Sequence, residues 1–515
     1  MNIALLLEMA AEGMPDRVAV GSRTAGLTYA GLLENARRAA AVIRRSRVGD
    51  SPVERVGMLD LNSETLPALL FGAALADLPF VPMNYRLADV KLRDLVARNA
   101  PALLVVDPPV VDRIGEADGL LVRTREEFHE LVKTASQTAP PDSDAQDSQD
   151  DQDAQDIAIL LFTSGTTGAP KAAVLRHRHI TSYVLSANEY ASAGEEEAAL
   201  VSVPPYHIAG VSAILSAVYS GRRLVYLPTF SAEEWVATAR DEEITHAMVV
   251  PTMLGRILDV LEAEGGGLPA LRHLSYGGGP MPVPVLERAM RLLPSVGFVN
   301  AYGLTETSST ISILTPEEHR VAMASDDPVV RARLGSVGRP LPTIELEIRD
   351  PLGQPLPVGL PGEVWVRGEQ VAGEYLGSGS RVTGGWFPTR DQGYLDEDGY
   401  LFLAGRLDDV IVRGGENISP GEIEEVLIEH PEIAEVAVVG LPDIQWGERI
   451  VAYVVTQPGA TVTEADLQSR VRARLRSTCT PEKVYFAETL PYSETGKLLR
   501  RVLRGQALDA AESHA

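Results

Sequence analysis

The sequence has little of three features that each mark a class of protein. Its single cysteine, Cys479, allows no internal disulfide, as is typical of proteins from a reducing compartment. No run of about 18 apolar residues is present, so no segment is long enough to span a bilayer as a helix. Lysine and arginine total 46 against 71 aspartate and glutamate residues, giving a net charge of −25. General nucleic-acid binding depends on basic side chains that neutralise phosphates, so this balance argues against it.

The N-terminus lacks the features of a signal peptide. The stretch MNIALLLEMAAEGMPDR has no basic leading segment and carries Glu8 within its apolar run. An amphipathic helix fits this pattern better than a secretory leader. Together with the composition, this favours a cytoplasmic protein that has neither a membrane nor a nucleic acid as its partner.

The length and the pattern of the chain predict a multidomain α/β protein. A chain of 515 residues exceeds what one hydrophobic core usually spans. Tyr29–Arg45 has helical periodicity, Val56–Leu59 resembles a strand, Leu66–Ala76 a second helix and Ala102–Val106 another strand. Such alternation predicts layered α/β sheets with largely parallel strands.

Three changes of composition organise the rest of the chain. Residues 138–156 hold seven aspartates and no apolar side chain larger than alanine or proline, which predicts a solvated, flexible linker rather than a site for metal or a basic partner. Gly338–Gly368, with alternating patches, suggests a β-barrel-like subdomain. A compact α+β pattern starts at Asp408. We therefore predict a large N-terminal domain, 1–407, and a small mobile C-terminal domain, 408–515.

The stretch FTSGTTGAPK, Phe162–Lys171, is the clearest candidate for chemistry. Glycines and hydroxyl side chains let backbone N–H groups approach phosphate oxygens closely. The common phosphate loop G-x-x-x-x-G-K-[ST] is excluded, since Gly165 and Gly168 are three residues apart and Ala172 follows the lysine. The stretch is therefore another kind of phosphate-binding loop or a flexible turn.

Further polar clusters follow predicted strands, and ligands usually bind at strand ends in open α/β sheets. Alone, each has an ordinary structural explanation, such as a glycine turn or a packed core histidine at His207. They are PPYHIAG (204–210), SYGGGPMP (275–282), NAYGLTET (300–307), the long block from Thr389 to Glu425, and PYSETGKLLRR (491–501).

In their order and spacing these motifs resemble the adenylate-forming enzymes, a family that includes acyl- and aryl-CoA synthetases, peptide-synthetase adenylation domains and beetle luciferase. TSGTTGAPK, YGLTET and the Asp391–Glu424 block are highly specific for it, and the resemblance runs from Pro15 to Arg501. It implies that a carboxylate attacks the α-phosphate of ATP, that pyrophosphate leaves, and that the acyl group then passes to a thiol. It is greatest to acyl- or aryl-CoA synthetases, with ATP, Mg²⁺ and coenzyme A as implied cofactors.

The resemblance assigns roles to residues of the nucleotide site. Glu306 would hold Mg²⁺, Thr305 would bond the α-phosphate, and Tyr302 would lie along the adenine. Asp391 would accept hydrogen bonds from the ribose hydroxyls, next to Arg406. The implied contacts to ATP are Thr163, Ser164, Gly165, Thr166, Thr167, Gly168 and Lys171 at the β- and γ-phosphates, and Gly277, Gly278, Gly279, Pro280, Asn300, Ala301, Tyr302, Gly303 and Leu304 around the adenine.

The resemblance also assigns the adenylation lysine, the second half-reaction and the acyl pocket. Lys497 would bridge the carboxylate and the α-phosphate, and Asp408 would be the hinge about which the C-terminal domain turns. The thiol-transfer face would be built around Gly414, Gly415 and Trp446. The acyl pocket would be lined by His207 as its gate residue, together with Met253, Tyr276, Ala301 and Gly303.

The sequence departs from the family pattern at several positions, and substrate and acceptor stay open. Arg390 stands where glycine is commonest, Tyr492 and Ser493 stand where Pro–Lys often leads, and residues 477–483 lack the usual basic-x-Pro arrangement. PPYHIAGVSA contains no carboxylate to pair with an amino group, so a non-amino carboxylic acid is favoured. The alternatives are an acid:CoA ligase, an acyl-AMP ligase that loads a carrier protein, and a catalytically silent nucleotide-binding protein. A homodimer is left open.

Overall fold

A computed structural model of the chain describes residues 1–115, 118–136, 157–163, 171–413, 416–443, 446–475, 477–493 and 498–512, without the side chains of residues 408, 416, 417 and 510–512. The predicted acidic linker, residues 138–156, lies outside the described residues.

Helices alternate with strands along most of the chain. The described α-helices are α1 Ala4–Gly13, α2 Tyr29–Arg45, α3 Thr65–Leu75, α4 Asp89–Ala97, α5 Pro108–Ile114, α6 Arg125–Thr134, α7 His177–Ala187, α8 Ile208–Ser220, α9 Ala232–Asp241, α10 Pro251–Glu264, α11 Val283–Leu292, α12 Pro316–Ala324, α13 Pro328–Ala332, α14 Pro420–Ile428, α15 Glu464–Arg474 and α16 Arg500–Glu512.

The strands are mostly short. They are β1 Val18–Val20, β2 Leu27–Thr28, β3 Arg47–Val48, β4 Ser51–Pro52, β5 Arg55–Leu59, β6 Phe80–Pro82, β7 Ala102–Val106, β8 Leu120–Thr124, β9 Ile157–Thr163, β10 Lys171–Arg176, β11 Ala198–Val201, β12 Arg223–Tyr226, β13 His246–Val249, β14 His273–Gly277, β15 Gly297–Leu304, β16 Ser309–Leu314, β17 Arg339–Pro340, β18 Glu345–Arg349, β19 Gly362–Arg367, β20 Glu374–Tyr375, β21 Gly379–Ser380, β22 Phe387–Leu395, β23 Leu401–Arg406, β24 Ile411–Arg413, β25 Glu416–Ile418, β26 Ile433–Asp443, β27 Gly447–Thr456 and β28 Lys483–Phe486.

Helix α2 illustrates how the local sequence sets these elements. Thr28 caps its N-terminus by accepting a hydrogen bond from the Gly31 N–H, and two arginines occupy its last turn, where they interact favourably with the helix dipole. Its periodicity predicts an apolar face of Leu33, Ala36, Ala40 and Ile43, of which the last three are buried and Leu33 is half-buried. The predicted bounds of this helix agree with the structure.

The chain divides into two compact units, and unit 1 contains residues 1–345 and 367–387. Its larger sheet has nine strands in the order β17-β16-β15-β14-β13-β11-β12-β1-β2, and its second sheet has eight in the order β21-β20-β10-β9-β6-β5-β7-β8. The pairs from β12 through β11, β13 and β14 to β15 are parallel, so their carboxyl ends meet at one edge. This edge carries most of the candidate site residues of unit 1.

Unit 2 contains residues 346–366 and 388–515. A four-stranded sheet, β18-β19-β22-β23, includes the strands predicted within Gly338–Gly368, and β22 and β23 are antiparallel. The second sheet has the order β25-β24-β27-β26, with β28 beside β27, and packs with α14 and α15 around Ile423, Val438 and Leu467. The predicted α/β fold with a C-terminal α+β module is confirmed, whereas the predicted hinge at Asp408 concerns motion and stays a prediction.

None of the helices in the described ranges has the length and apolar character needed to cross a membrane.

Candidate functional site

The parallel strands β14 and β15 bring two of the predicted clusters together at their carboxyl ends. Gly277 pairs with Ala301 across the two strands. A Cβ at Gly277 would lie 2.3 Å from the carbonyl oxygen of Ala301, so only glycine allows this close approach. The next residue, Gly278, has φ +79° and is exposed. The two strand ends therefore form a thin backbone wall, as expected for one side of a nucleotide site.

A tightly held turn places Thr305 and Glu306 just beyond β15. The 3₁₀ turn Thr305–Thr307 is fixed by the buried Thr307, whose Oγ1 bonds to the backbone of Leu304 and to the Ser309 carbonyl. Ser308 and Ser309 both have positive φ, +56° and +119°, which non-glycine residues seldom adopt. Such strain persists where surrounding contacts over-determine the backbone, and it often marks functional sites.

Tyr375 fixes the Glu306 side chain from another strand. Its hydroxyl donates to Glu306 Oε1 at 2.5 Å, while the Glu306 carbonyl accepts from Ala372 N at 2.9 Å and Gly373 N at 3.0 Å. Burial, followed by the charge of Glu306, raises the pKa of Tyr375 above its ordinary value of 10.0, so the hydroxyl remains a donor. The metal-ligand candidate is therefore held both by its backbone and by its carboxylate.

The same tyrosine lies beside the stem of the glycine-rich loop. Strand β20, which carries Tyr375, pairs with β10 through Ala173. Lys171 Nζ lies 5.8 Å from the centre of the Tyr375 ring, within range of a cation–π contact. Thr163 pairs directly with Lys171 across β9 and β10. The two residues that flank the loop are thus brought to the same cluster as Glu306, while Ser164, Gly165, Thr166, Thr167 and Gly168 lie outside the described residues.

The predicted acyl-pocket residues occupy two kinds of position. Tyr276 and Met253 are buried in the hydrophobic core that α10 and α11 form against the sheet, and Tyr276 Oη lies 2.8 Å from His319 Nε2. Ala301 and Gly303 lie on one face of β15, and Asn300 lies on the other. Asn300 is buried and its side chain donates to the Ser336 carbonyl.

His207 precedes α8 and packs against Tyr206, with ring centres 4.6 Å apart. Its Nε2 atom is buried and has no hydrogen-bond partner within the described part of the chain. Burial lowers the pKa of His207 from 6.5 to about 4, so the ring is neutral at pH 7. A neutral, largely apolar ring is suited to lining a pocket for an uncharged part of a ligand.

In unit 2, the ribose candidate Asp391 is paired with its predicted neighbour. Asp391 lies opposite Arg406 in the β22–β23 register, and Arg406 Nε is 2.7 Å from Asp391 Oδ1. Arg390 immediately before it has φ +66°, which explains why glycine is the usual residue at this position. Arg390 therefore adopts a left-handed backbone that is strained for a non-glycine residue.

The remaining candidates of unit 2 are only partly described. Trp446 is 44% exposed, and the Arg413 guanidinium lies 5.7 Å from its ring centre. The turn 407–409 follows β23 and includes the backbone of Asp408. Gly414, Gly415 and Lys497 lie outside the described residues, as does the Asp408 side chain.

Residues beyond the Lys497 segment are firmly anchored. Arg500 on α16 forms a two-pronged ion pair with Glu424 on α14, at 2.7 and 2.8 Å. Leu499 N donates to the Pro491 carbonyl at 2.8 Å, and the backbones of Tyr492 and Leu498 form an isolated antiparallel β-bridge. The segment that carries the predicted adenylation lysine therefore starts and ends on one small structural element.

Several residues that shape the site were not identified from the sequence. Tyr375 is 69 positions from Glu306, and Gln370, which donates to the carbonyls of Thr307 and Thr310, is similarly remote. No periodicity or local motif links these positions, so only the folded chain reveals them.

Models of two protein families match this chain. The AMP-binding enzyme model matches residues 7–376, and the AMP-binding enzyme C-terminal domain model matches residues 422–497. The chain belongs to the AMP-binding enzyme family. The resemblance to adenylate-forming enzymes drawn from the motifs is confirmed, and members of this family use ATP.

Similar proteins support the same placement along almost the full length of this AMP-binding enzyme. A fatty acid–acyl-carrier-protein ligase of Streptomyces coeruleorubidus is 33% identical over 493 residues, covering 93% of this chain and 91% of that protein. A feruloyl-CoA synthase of an Amycolatopsis species is 30% identical, covering 95% and 96%. The o-succinylbenzoate CoA synthetase of Bacillus subtilis, solved in complex with its acyl-adenylate intermediate, is 28% identical with a TM-score of 0.79, covering 97% of both chains.

Proposed function

We propose that this AMP-binding enzyme is an AMP-forming acid–thiol ligase. It activates a non-amino carboxylic acid with ATP, releasing pyrophosphate and forming an acyl-adenylate, and then transfers the acyl group to the thiol of coenzyme A. The observation that carries the proposal is the cluster of Glu306, Tyr375 and Lys171 beside the glycine-rich strand ends. This cluster combines a fixed carboxylate, a cation and an open backbone wall.

The residues present fit ATP and Mg²⁺. The wall at Gly277 leaves no room for a side chain, and Gly279 has no heavy atom within 4 Å of where a Cβ would stand. Among the described residues no group of three or more His, Cys, Asp and Glu side chains could hold a metal by itself. Mg²⁺ in nucleotide sites is usually held by one or two carboxylates and by substrate phosphates, so a single Glu306 suits it. When bound, the ion would neutralise charge that develops on the phosphate oxygens.

The chain's own residues would position the reactants. Thr305, fixed by the strained turn, would direct its hydroxyl toward the α-phosphate, and Lys171 would hold the departing pyrophosphate. Asp391, oriented by Arg406 at 2.7 Å, would accept hydrogen bonds from the ribose. Lys497 would supply the positive charge that offsets repulsion between the carboxylate and the α-phosphate as they approach.

The acid itself is proposed to be an aromatic, alicyclic or fatty acid. The neutral His207 and the absence of a carboxylate from Pro204 to Ala213 provide no partner for a substrate amino group. Hydrophobic pockets discriminate one methylene only weakly, so a screen of acids is needed. Pyrophosphate release with ATP, Mg²⁺ and each acid in turn should rise for at least one such acid. Failure of every acid, including in ATP–pyrophosphate exchange, would refute the adenylation step.

The second candidate acceptor is the phosphopantetheine thiol of a carrier protein. It is supported by the similarity to the Streptomyces enzyme, whose name specifies an acyl-carrier-protein substrate. Incubating the enzyme, ATP and the active acid with either coenzyme A or a holo-carrier protein separates the two acceptors. Acyl-CoA formation supports the first, and exclusive loading of the carrier supports the second.

The proposed role of Lys497 separates the two half-reactions. Lys497→Ala should abolish adenylation and leave transfer from supplied acyl-AMP largely intact. Lys483→Ala, which removes a lysine that pairs with Glu464 at 3.0 Å on the same unit, is the matched control and should retain both. Equal loss of both half-reactions in Lys497→Ala would contradict the role.

Two further proposals concern the cellular state of the protein. A cytoplasmic location is supported by the single cysteine, which is buried in the structure. A homodimer is the second proposal, and measuring the molecular mass by sedimentation at two protein concentrations tests it.

A further inference from the structure

A second cleft of unit 1 lies apart from the proposed active site. It has a volume of about 600 Å³ and lies where the carboxyl ends of β12 and β5 continue into loops, between Asn62, Glu64, Tyr226 and Asp241. Strand β12 is three places from β14 in the nine-stranded sheet, which corresponds to roughly 14 Å at the usual interstrand spacing. None of the candidate nucleotide or acyl residues lines this cleft.

Two residues that line the cleft, Asn62 and Tyr226, each hold a buried polar atom without a partner. Asn62 is 3% exposed, and its Nδ2 donates to the Leu227 carbonyl at 3.2 Å. This bond fixes the orientation of the amide and leaves Oδ1 as the side-chain atom that still needs a hydrogen-bond donor. Within the described part of the chain neither this Oδ1 nor the Tyr226 hydroxyl has a hydrogen-bond partner. Buried polar atoms are nearly always paired in native proteins, so two lining residues that each hold such an atom point to a ligand that pairs with them when it is bound.

The charges around the cleft define the ligand. Arg125, the one lysine or arginine among its lining residues, lies 2.6 Å from the Asp60 carboxylate and 3.4 Å from Asp107. Glu242 is paired with Arg223 at 2.6 Å. Glu64 and Asp241 have no ion pair among the residues described, so the cleft carries uncompensated negative charge. Burial, followed by the charge of Glu64, raises the pKa of Tyr226, which therefore remains a neutral phenol whose oxygen can accept a hydrogen bond.

We propose that this cleft binds a small organic cation with several N–H donors, such as a molecule that carries primary ammonium or guanidinium groups. Glu64 and Asp241 attract the cationic groups, Asn62 Oδ1 accepts one N–H, and the Tyr226 hydroxyl oxygen accepts another. A bare metal ion is a poorer match, because no cluster of three or more His, Cys, Asp and Glu side chains is present among the described residues. The volume falls within the range of small-molecule sites.

Isothermal titration of the full chain, without ATP or acid, tests the site separately from the proposed catalysis. The probes are putrescine and agmatine, with 1,4-butanediol as an uncharged molecule of the same length as putrescine. At least one amine should bind saturably at one site per chain, and butanediol should not. The absence of saturable amine binding, or equal binding of butanediol, overturns the proposal.

Two variants locate the binding. Tyr226→Phe and Asp241→Asn should each weaken the amine by about tenfold, since each removes one hydrogen bond or charge. Asp259→Asn is the matched control, because Asp259 is an exposed carboxylate outside the cleft and should leave the affinity unchanged. Removing an unpaired buried hydroxyl does not destabilise a fold, so Tyr226→Phe should keep or raise the Tm of the free protein. Unchanged amine affinity in both cleft variants, or a marked fall in the Tm of Tyr226→Phe, contradicts the site.

Discussion

Replacing Tyr375 with phenylalanine isolates one hydrogen bond of the proposed metal site. The substitution removes the hydroxyl that lies 2.5 Å from Glu306 Oε1 and keeps the ring. The contact of that ring with Lys171 Nζ is preserved, and so are the two backbone bonds to the Glu306 carbonyl. The backbone of the turn should therefore stay in place while the carboxylate loses its orientation.

The size of the effect follows from the kind of bond. A hydrogen bond to a charged group contributes about 1.5–3 kcal/mol. Glu306 is partly exposed, so water replaces some of the lost interaction and the lower value applies. Since each 1.36 kcal/mol corresponds to a factor of ten in rate, kcat/KM for ATP in adenylation should fall by about tenfold. Because the carboxylate is no longer held toward the phosphates, half-maximal activity should also require more Mg²⁺.

Acid-dependent ATP–pyrophosphate exchange, measured over a series of Mg²⁺ concentrations, reports both changes. Tyr190→Phe serves as the control, since its hydroxyl bonds to the Met9 carbonyl at 2.7 Å, away from the cluster. Wild-type exchange and an unshifted Mg²⁺ dependence in Tyr375→Phe would refute the positioning role. A loss of exchange with a lowered Tm and no Mg²⁺ shift would assign Tyr375 to packing alone.

Three further predictions concern backbone strain, burial and packing. Arg390→Gly should raise the Tm by about 2 °C in thermal denaturation, because the left-handed backbone at φ +66° costs a non-glycine residue about 1–2 kcal/mol. A lower Tm would show that the contacts of the Arg390 side chain outweigh this strain. Burial lowers the pKa of His319 from 6.5 to about 4. The contribution of the neutral His319 ring to stability is therefore present above pH 6.5 and is lost as the pH falls toward 4. His319→Gln should flatten this part of the Tm–pH profile, whereas the control His129→Gln, at an exposed histidine, should not. Gly303→Ala should abolish ATP–pyrophosphate exchange or folding, because the new Cβ would lie 1.9 Å from the carbonyl oxygen of Ser309. Gly255→Ala is the control, since open space surrounds this position of α10, and it should raise the free energy of unfolding in urea by about 1 kcal/mol.

The elements that local patterns determine could be predicted from the sequence. The helix Tyr29–Arg45 and the strand Ala102–Val106 have the bounds that their patterns indicated, since burial sets both the pattern and the structure. The clusters at Gly277 and Ala301 were expected at strand ends, and parallel pairing of β14 and β15 places them side by side.

What the sequence could not supply depends on contacts between distant residues. Tyr375 reaches Glu306 only because β20 pairs with β10, a register that no local pattern encodes. Tyr276 and Leu274 lie on the same face of β14, which packs against α10 and α11, and period-two alternation could have suggested this placement. The positive φ angles at Ser308 and Ser309 could not be predicted from the sequence either, because serine seldom adopts this backbone conformation, which favours glycine.

The burial of Cys479 makes this protein a convenient starting point for site-specific labelling. The chain's one thiol is 1% exposed, so maleimide dyes should not react with it in the native protein. Cysteines introduced at exposed positions, for example at Val90 in unit 1 and Phe486 in unit 2, would then be the reactive pair. Single-molecule energy transfer between two such dyes, recorded with ATP, with acid and with thiol, would follow the predicted turn about Asp408 through a complete catalytic cycle.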